Sequence, residues 1–400
     1  MAEFVAMMAI LMAVTALSVD IMLVVLPDIA ADFALVEDNT QQYVVIVYLA
    51  AFASGHILAG PLSDRIGRRP VILAGLAVHV VGSAIAIVAS SYEMLLLARA
   101  VQGFGSAGPR VVAVAVIRDR FVGRAMSRVM SFVMTVFIML PVVAPALGSL
   151  IAQLGSWQPI FMFLLGFAAL TLVWVALRLA ETNPRRGPDV RPAVPVGAAL
   201  ATIVGERQSV GYMVATGCMF GCVMGYVASS QQLFADVYGI VDWFPAVFAS
   251  VAGAMAMASL VSAWLVGRLG MRRLSHGAVL VMVLLTAGAN LAVLAVPALP
   301  FSALIGFLAL MFFFIGVVLP NFNALAMEPL GEIAGTGSSF VGFVMTGLGA
   351  LLGGLVGQLY DGTVRPLLLG YFVYACATLA VIALTERGQL LGSSRQVPAE

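Results

Sequence analysis

The sequence has no lysine, only three histidines and three cysteines, and few charges of either sign: 10% of its 400 residues are charged. Twenty arginines stand against 19 acidic residues, for a formal net charge of +1. Each scarcity excludes something. A nucleic-acid binder needs a basic face that releases counterions from phosphates, and this chain has none. Cys218, Cys222 and Cys376 all lie inside apolar runs, so no disulfide framework, metal site or cofactor is expected. No Gly-Lys-Ser/Thr phosphate loop is present, which removes ATP as an energy source. Gly-x-Ser-x-Gly, His-Glu-x-x-His and paired intramembrane acids are also missing, so an intramembrane enzyme lacks its catalytic set.

Apolar residues are abundant instead: 62% of the chain, with a mean hydropathy of +1.07. A soluble domain is about 45–50% apolar, and a chain this far above that could not cover its surface with polar groups in water. Apolar runs fall at about 4–26, 43–62, 71–89, 93–117, 126–153, 157–179, 209–235, 243–267, 274–296, 300–326, 336–359 and 365–385. Roughly 20 such residues cross a hydrocarbon core of about 30 Å, so these are twelve spans. Inside lipid every backbone group needs an internal partner, and no barrel-like alternation is visible, so the spans are helices. The first run has no basic leader and is too long for a signal segment; it reads as a retained span.

Counting loops on alternate sides with the N-terminus inside puts 17 of the 20 arginines in the cytoplasm, Arg365 outside, and Arg99 and Arg110 within spans. The positive-inside bias thus places both termini in the cytoplasm. The loop at 327–335 dissents, carrying Glu328 and Glu332 and no Arg. The only long polar interruption, 181–208, divides the chain into a bundle at 1–180, a cytoplasmic linker, a bundle at 209–386 and a tail at 387–400. A repeat supports the division: Leu62-Ser63-Asp64-Arg65-Ile66-Gly67-Arg68-Arg69 recurs, degraded, as Leu265-Val266-Gly267-Arg268-Leu269-Gly270-Met271-Arg272. The expected architecture is an all-α membrane protein: two pseudo-symmetric six-helix bundles around a central cavity.

The stretch from Gly60 to Pro70 resembles the signature loop of the major facilitator superfamily. Arg99-Ala100-Val101-Gln102-Gly103 resembles that superfamily's second motif. Pro141, Pro145 and Gly148, within Pro141-Val142-Val143-Ala144-Pro145-Ala146-Leu147-Gly148, resemble its drug:proton antiporter motif, although Leu140, Ala144 and Ser149 stand where glycines are usual. Asp20 with Pro27, the run Met130 to Met134, and Ala334 to Ser339 resemble the Bcr/CflA group of bicyclomycin- and chloramphenicol-resistance exporters. The resemblance implies a proton-coupled exporter in a bacterial inner membrane, working as a monomer by alternating access.

Asp20 is the one acid placed within a span. Such a carboxylate costs about 2.5–3.5 kcal/mol on insertion scales, and a low dielectric favours its neutral form. It is expected to carry the coupled proton, or else to sit near the outer headgroups. Arg99, at similar depth, is expected to hold the deprotonated acid directly or through water, with a structural Arg bonded to carbonyls as the alternative. The signature loop is read as a gating latch, made of Gly60, Asp64, Arg65, Gly67, Arg68 and Arg69. By resemblance, Asp64 lies at the start of the eleventh span and Arg65 or Arg68 pairs with Asp119. The second copy has Gly267 in place of the acid, so only one strong latch is expected. Tyr48, Gln102, Arg110, Tyr226, Gln231, Asn321 and Asn323 are candidate cavity liners, and Arg110 either contacts substrate or reaches inward. The fifth helix, and the eleventh with Gly349, Gly353 and Gly357, are expected to meet at the bundle interface, though packing alone would explain their small residues equally well.

The expected partners are a small-molecule substrate, protons and the lipid bilayer. The mostly apolar cavity suits lipophilic drugs. A transporter of an amino-acid or sugar derivative is the alternative, with a passive channel or an enzyme behind it.

Overall fold

The computed structural model describes residues 2–121, 123–183, 196–296 and 299–389, with backbone alone at 123, 124, 127, 131, 138, 196, 259, 260, 263, 332 and 334. The side chain of Arg124, the arginines at 185, 186, 191 and 395, residues 184–195 of the expected linker and most of the expected tail lie outside these descriptions. Among the described residues fourteen α-helices follow one another: α1 (Ala2–Asp20), α2 (Leu26–Asp32), α3 (Tyr43–Ile66), α4 (Arg68–Ile87), α5 (Tyr92–Arg120), α6 (Gly123–Ala152), α7 (Gln158–Arg178), α8 (Val196–Gly205), α9 (Arg207–Tyr238), α10 (Phe244–Leu269), α11 (Met271–Ala295), α12 (Phe301–Met327), α13 (Ala334–Gln358) and α14 (Arg365–Thr385). Among the described residues eleven helical segments are long and apolar enough to cross a membrane. The twelfth is α10, 26 residues long, whose described apolar stretch is Phe244–Ala258.

The first span differs from its expected outline. It runs from Ala2 to Asp32 and is interrupted by a 3-10 turn over Ile21–Val25. Pro27 is the cause: it has no N–H to give, and its ring crowds the carbonyl four residues back, at Leu23. The tightening begins immediately after Asp20. The polar linker also differs, because Val196–Gly205 is a helix, α8, whose Ala199 and Ile203 are fully buried. Ten residues reach only about 15 Å, so α8 cannot span a bilayer. It packs against α9 and α13 instead.

Helix α3 packs against α4, α5 and α13, while α6 packs against α1, the 3-10 turn and α10. The fifth and eleventh spans, α6 and α13, therefore each meet a different helix rather than one another. The stripe Gly349, Gly353 and Gly357 lies mainly against α9, at Phe220, Met224 and Ala228. The seam with α3 is made by Gly342 on His56, Gly347 on Ala53 and Gly354 on Ile46. The internal repeat has a geometric counterpart: Gly67 (φ 110°, ψ 157°) and Gly270 (φ 78°, ψ 157°) make the same turn. Helix α6 is unbroken through Pro141 and Pro145. Its Gly148 seats against the 3-10 turn, where a Cβ would lie 2.7 Å from the Ile21 carbonyl oxygen.

Gly103 brings the α5 backbone onto that of α3 at Tyr48, and a Cβ there would overlap the Tyr48 carbonyl. Gly103→Ala should therefore destabilise the fold by about 1–3 kcal/mol through overpacking. Gly166→Ala, in mid-α7 with open space around it, should be neutral or stabilising by up to about 1 kcal/mol. Thermal unfolding of the two detergent-solubilised variants checks both signs.

Candidate functional site

Asp20 ends α1 and is buried, 6% exposed. No hydrogen bond or ion pair from the described residues reaches its carboxyl group. Arg99 is fully buried, and each of its nitrogens donates one hydrogen bond: Nε to the Val44 carbonyl (2.9 Å), Nη1 to Gln102 Oε1 (2.8 Å) and Nη2 to the Ser18 carbonyl (2.8 Å). The guanidinium also lies 4.4 Å from the Tyr48 ring centroid. The expected Asp20–Arg99 pair is thus not made. Arg99 reaches the backbone carbonyl of Ser18, two residues before the acid, instead of its carboxyl group. The two groups lie at one depth without touching.

Around Arg99 runs a polar network that sequence reading recovered only in part. Gln102 Nε2 donates to Ser83 Oγ (2.7 Å), the Tyr48 hydroxyl to Ser106 Oγ (2.8 Å), and Ser106 Oγ to the Gln102 carbonyl (2.9 Å). His79 Nδ1 lies 2.9 Å from Ser106 Oγ, which has already directed its own proton elsewhere, so the consistent tautomer is protonated at Nδ1. His79, Ser83 and Ser106 were missed. The signal was there: 79 and 83 on α4, and 99, 102 and 106 on α5, form helical stripes. Tyr48 and Gln102 belong to this packed network rather than to an open cavity wall.

Other expected liners scatter. Tyr226 is fully buried in an aromatic cluster, its ring 5.2 Å from Phe248 and 5.0 Å from Phe312. Its hydroxyl and Gln231 Oε1 are buried without partners. Asn321 is buried and donates to Ser262 Oγ (3.1 Å) and the Val317 carbonyl (2.7 Å). Asn323 is exposed. Two residues past Asn321, it falls on a different face of α12. Arg110 is half-buried beside Met12 and Phe137.

The signature loop closes around Arg68. Its Nη1 bonds Asp64 Oδ1 (2.6 Å) and Ser63 Oγ (2.7 Å), and its Nε bonds Asp119 Oδ2 (2.9 Å). Arg68, not Arg65, is the partner of Asp119: it opens α4, whose first turn faces α5, whereas Arg65 is exposed at the end of α3. Asp64 approaches α13 as expected, with Oδ2 lying 3.6 Å from where a Cβ on Gly335 would stand. Gly60 touches Ser339 on the same helix. Arg69 Nη2 donates to the Ala176 carbonyl at the end of α7 (2.6 Å).

Glu181 was missed, yet it caps α4. It accepts from the backbone N–H of Arg68 (2.8 Å), Arg69 (3.3 Å), Thr182 (3.0 Å) and Asn183 (2.9 Å). Partial burial disfavours its charged form, but these donors outweigh that and hold it below the usual carboxylate range. Asn183 Nδ2 bonds the Asp64 carbonyl (2.9 Å).

A second ionic cluster gathers around the other copy of the repeat, among elements of its own half. Arg272 pairs with Glu386 Oε1 (2.9 Å) and Glu328 Oε2 (3.2 Å), and the Tyr212 hydroxyl donates to Glu386 (2.6 Å). The loop acid is indeed absent, but the ends of α12 and α14 supply acids in its place. This explains why the loop at 327–335 carries Glu328. Burial works against the Glu386 charge, and Tyr212 with Arg272 nonetheless holds it below its ordinary value.

Glu181→Ala should cost about 1 kcal/mol, as loss of a helix cap does. Because the native carboxyl is held low, its contribution is present above the ordinary glutamate range and is lost as pH falls through the lowered value. The acid limb of the melting-temperature profile should therefore flatten in Glu181→Ala relative to wild type.

Comparison with known proteins agrees with this architecture. The model of the Major Facilitator Superfamily matches residues 8–354. Multidrug resistance protein MdtL of Klebsiella pneumoniae subsp. pneumoniae is 35% identical over 172 residues, 43% of this chain and 43% of that protein. MdtL of Escherichia coli strain K12 is 37% identical over 169 residues, 42% of each. The chain thus aligns with less than half the length of these relatives. A solved bacterial homolog of the human lysosomal transporter Spinster, inward-facing and occupied, superposes with a TM-score of 0.71 over 98% of both chains at 16% identity, a likeness of fold alone. The chain is a multi-pass membrane protein that belongs to the Major Facilitator Superfamily.

Proposed function

We propose that this protein exports lipophilic small molecules from a bacterial cytoplasm in exchange for protons, by alternating access between helix sets at 1–180 and 209–386. It sits in the inner membrane with both termini cytoplasmic and works as a monomer. The observation that carries the reading is Asp20: a buried acid without a partner among the described residues, at the point where the first span tightens and rests on Gly148 of the antiporter-like stretch. A group with no fixed ion pair can change its protonation without breaking one, which a structural carboxylate cannot. Similarity to proteins named for multidrug resistance supports the substrate class.

Arg99 then has a different role from the one expected. It ties α1 to α3 through carbonyls and keeps a positive charge at the depth of Asp20. The Arg68 cluster next to α13 acts as the inner gate, because Asp64 faces the first turn of that helix, where a helix dipole favours an anion. When the inner mouth opens, that contact parts, while Arg68–Asp119 holds α4 to α5.

Asp20→Asn should abolish proton-driven accumulation of ethidium in everted vesicles while leaving membrane insertion intact. Wild-type efflux should acidify the compartment opposite to substrate movement and collapse with an uncoupler. Full efflux by the variant at every pH would sink the coupling mechanism. Asp64→Asn should lower the turnover rate more than ethidium binding, and equal rates would reduce the loop to a topology signal.

A further inference from the structure

Arg110 is a cation that no anion among the described residues meets. Its guanidinium offers five N–H donors. Its contacts are the Met12 thioether, 3.5 Å from Nη1, and the Phe137 ring, 4.5 Å from the guanidinium carbon to the centroid. The His56 ring lies within reach of its charge. No carboxylate or carbonyl among the described residues accepts a hydrogen bond from it. Arg99, by contrast, eleven residues earlier on the same helix, has an oxygen for every nitrogen.

Position removes the bland explanations. Arg110 stands seven residues inside the end of its apolar run at 117, about 10 Å, and side chains on a helix lean toward its N-terminus, here the outer end, so it does not reach the cytoplasmic headgroups. It does not face lipid, because it touches α1, the most enclosed span, and α6. Asp20 lies eight residues from Met12 along α1, about 12 Å away, too far to neutralise it. An unpaired cation at this depth in a bilayer is expensive, and residues that persist there serve a ligand or a proton path.

We infer that Arg110 receives the carboxylate of a lipophilic, monoanionic substrate. The planar fork matches a carboxylate with two parallel N–H···O bonds. Phe137, partly exposed beside the guanidinium, provides an apolar wall for an aryl body, while Met12 is fully packed behind it. Arg99 is already satisfied, so one unit of negative charge is what the site can balance; a phosphate dianion would stay half uncompensated. The inference deepens the export reading and rests on it, since it takes this interior face as the one that meets cargo.

Binding, rather than transport, tests it. Nalidixic acid serves as the carboxylate probe at alkaline pH, where it is ionised, and its methyl ester as the neutral match of the same shape; affinity is read by calorimetry on the detergent-purified full chain. Wild type should bind the acid more tightly than the ester. Arg110→Gln should weaken the acid by about tenfold or more, as expected for losing a charge-assisted pair, and leave the ester within about twofold. Arg110→Lys should recover part of the loss, and it stands in should the Gln variant fail to fold. Equal loss of acid and ester, no loss of either, or no binding of the acid to wild type each overturns the inference. Failure of the export reading would appear separately, as absence of uncoupler-sensitive ethidium efflux in wild type.

Discussion

The structure depends on one constraint: in a medium without water, each charge must be met by something built into the fold. Arg99 shows the constraint satisfied in full. Its three hydrogen bonds join α1, α3 and its own helix, and Tyr48 covers its face. That single side chain fixes how the first span leans on its neighbours. The nearby hydroxyls and His79 complete a network in which almost every polar atom is used, so this region behaves as a rigid body rather than as a wet cavity.

Against that background the two unsatisfied groups stand out. Asp20 lies at the start of the 3-10 turn, at the depth of Arg99, and Arg110 stands eleven residues further along α5. Among the described residues neither meets a counterion. A low dielectric makes such groups costly at rest and responsive to whatever enters, whether a proton or an acidic group on a cargo molecule. The contrast between a tied arginine and a free one on the same helix separates scaffold from site more clearly than residue type does.

The cytoplasmic ends follow the same logic with water nearby. Arg68 and Arg272 each gather acids from three chain segments or fewer, but from different places: loop and α5 in the first case, the ends of α12 and α14 in the second. The repeated glycine turns at 67 and 270 preserve the backbone where the side chains have diverged. The two ends are therefore held by unlike sets of charges, and only the first set abuts a facing helix N-terminus, at Gly335.

Hydrophobic runs, arginine placement and the 203-residue repeat were enough to read the membrane class, the number of helices and the signature loop, because lipid permits few solutions for an apolar chain. Asp20, Arg99 and Asp64 were legible as rare charges in special places. Their partners were not. Whether Arg99 meets an acid or three carbonyls depends on which face of α1 turns toward α5. Whether Asn323 lines a cavity depends on a rotation of α12. Glu181 caps a helix more than a hundred residues away. Composition and period determine that a residue is buried; only the packing of one helix against another decides what it is buried against, because hydrogen bonds require atoms to meet within about 3 Å.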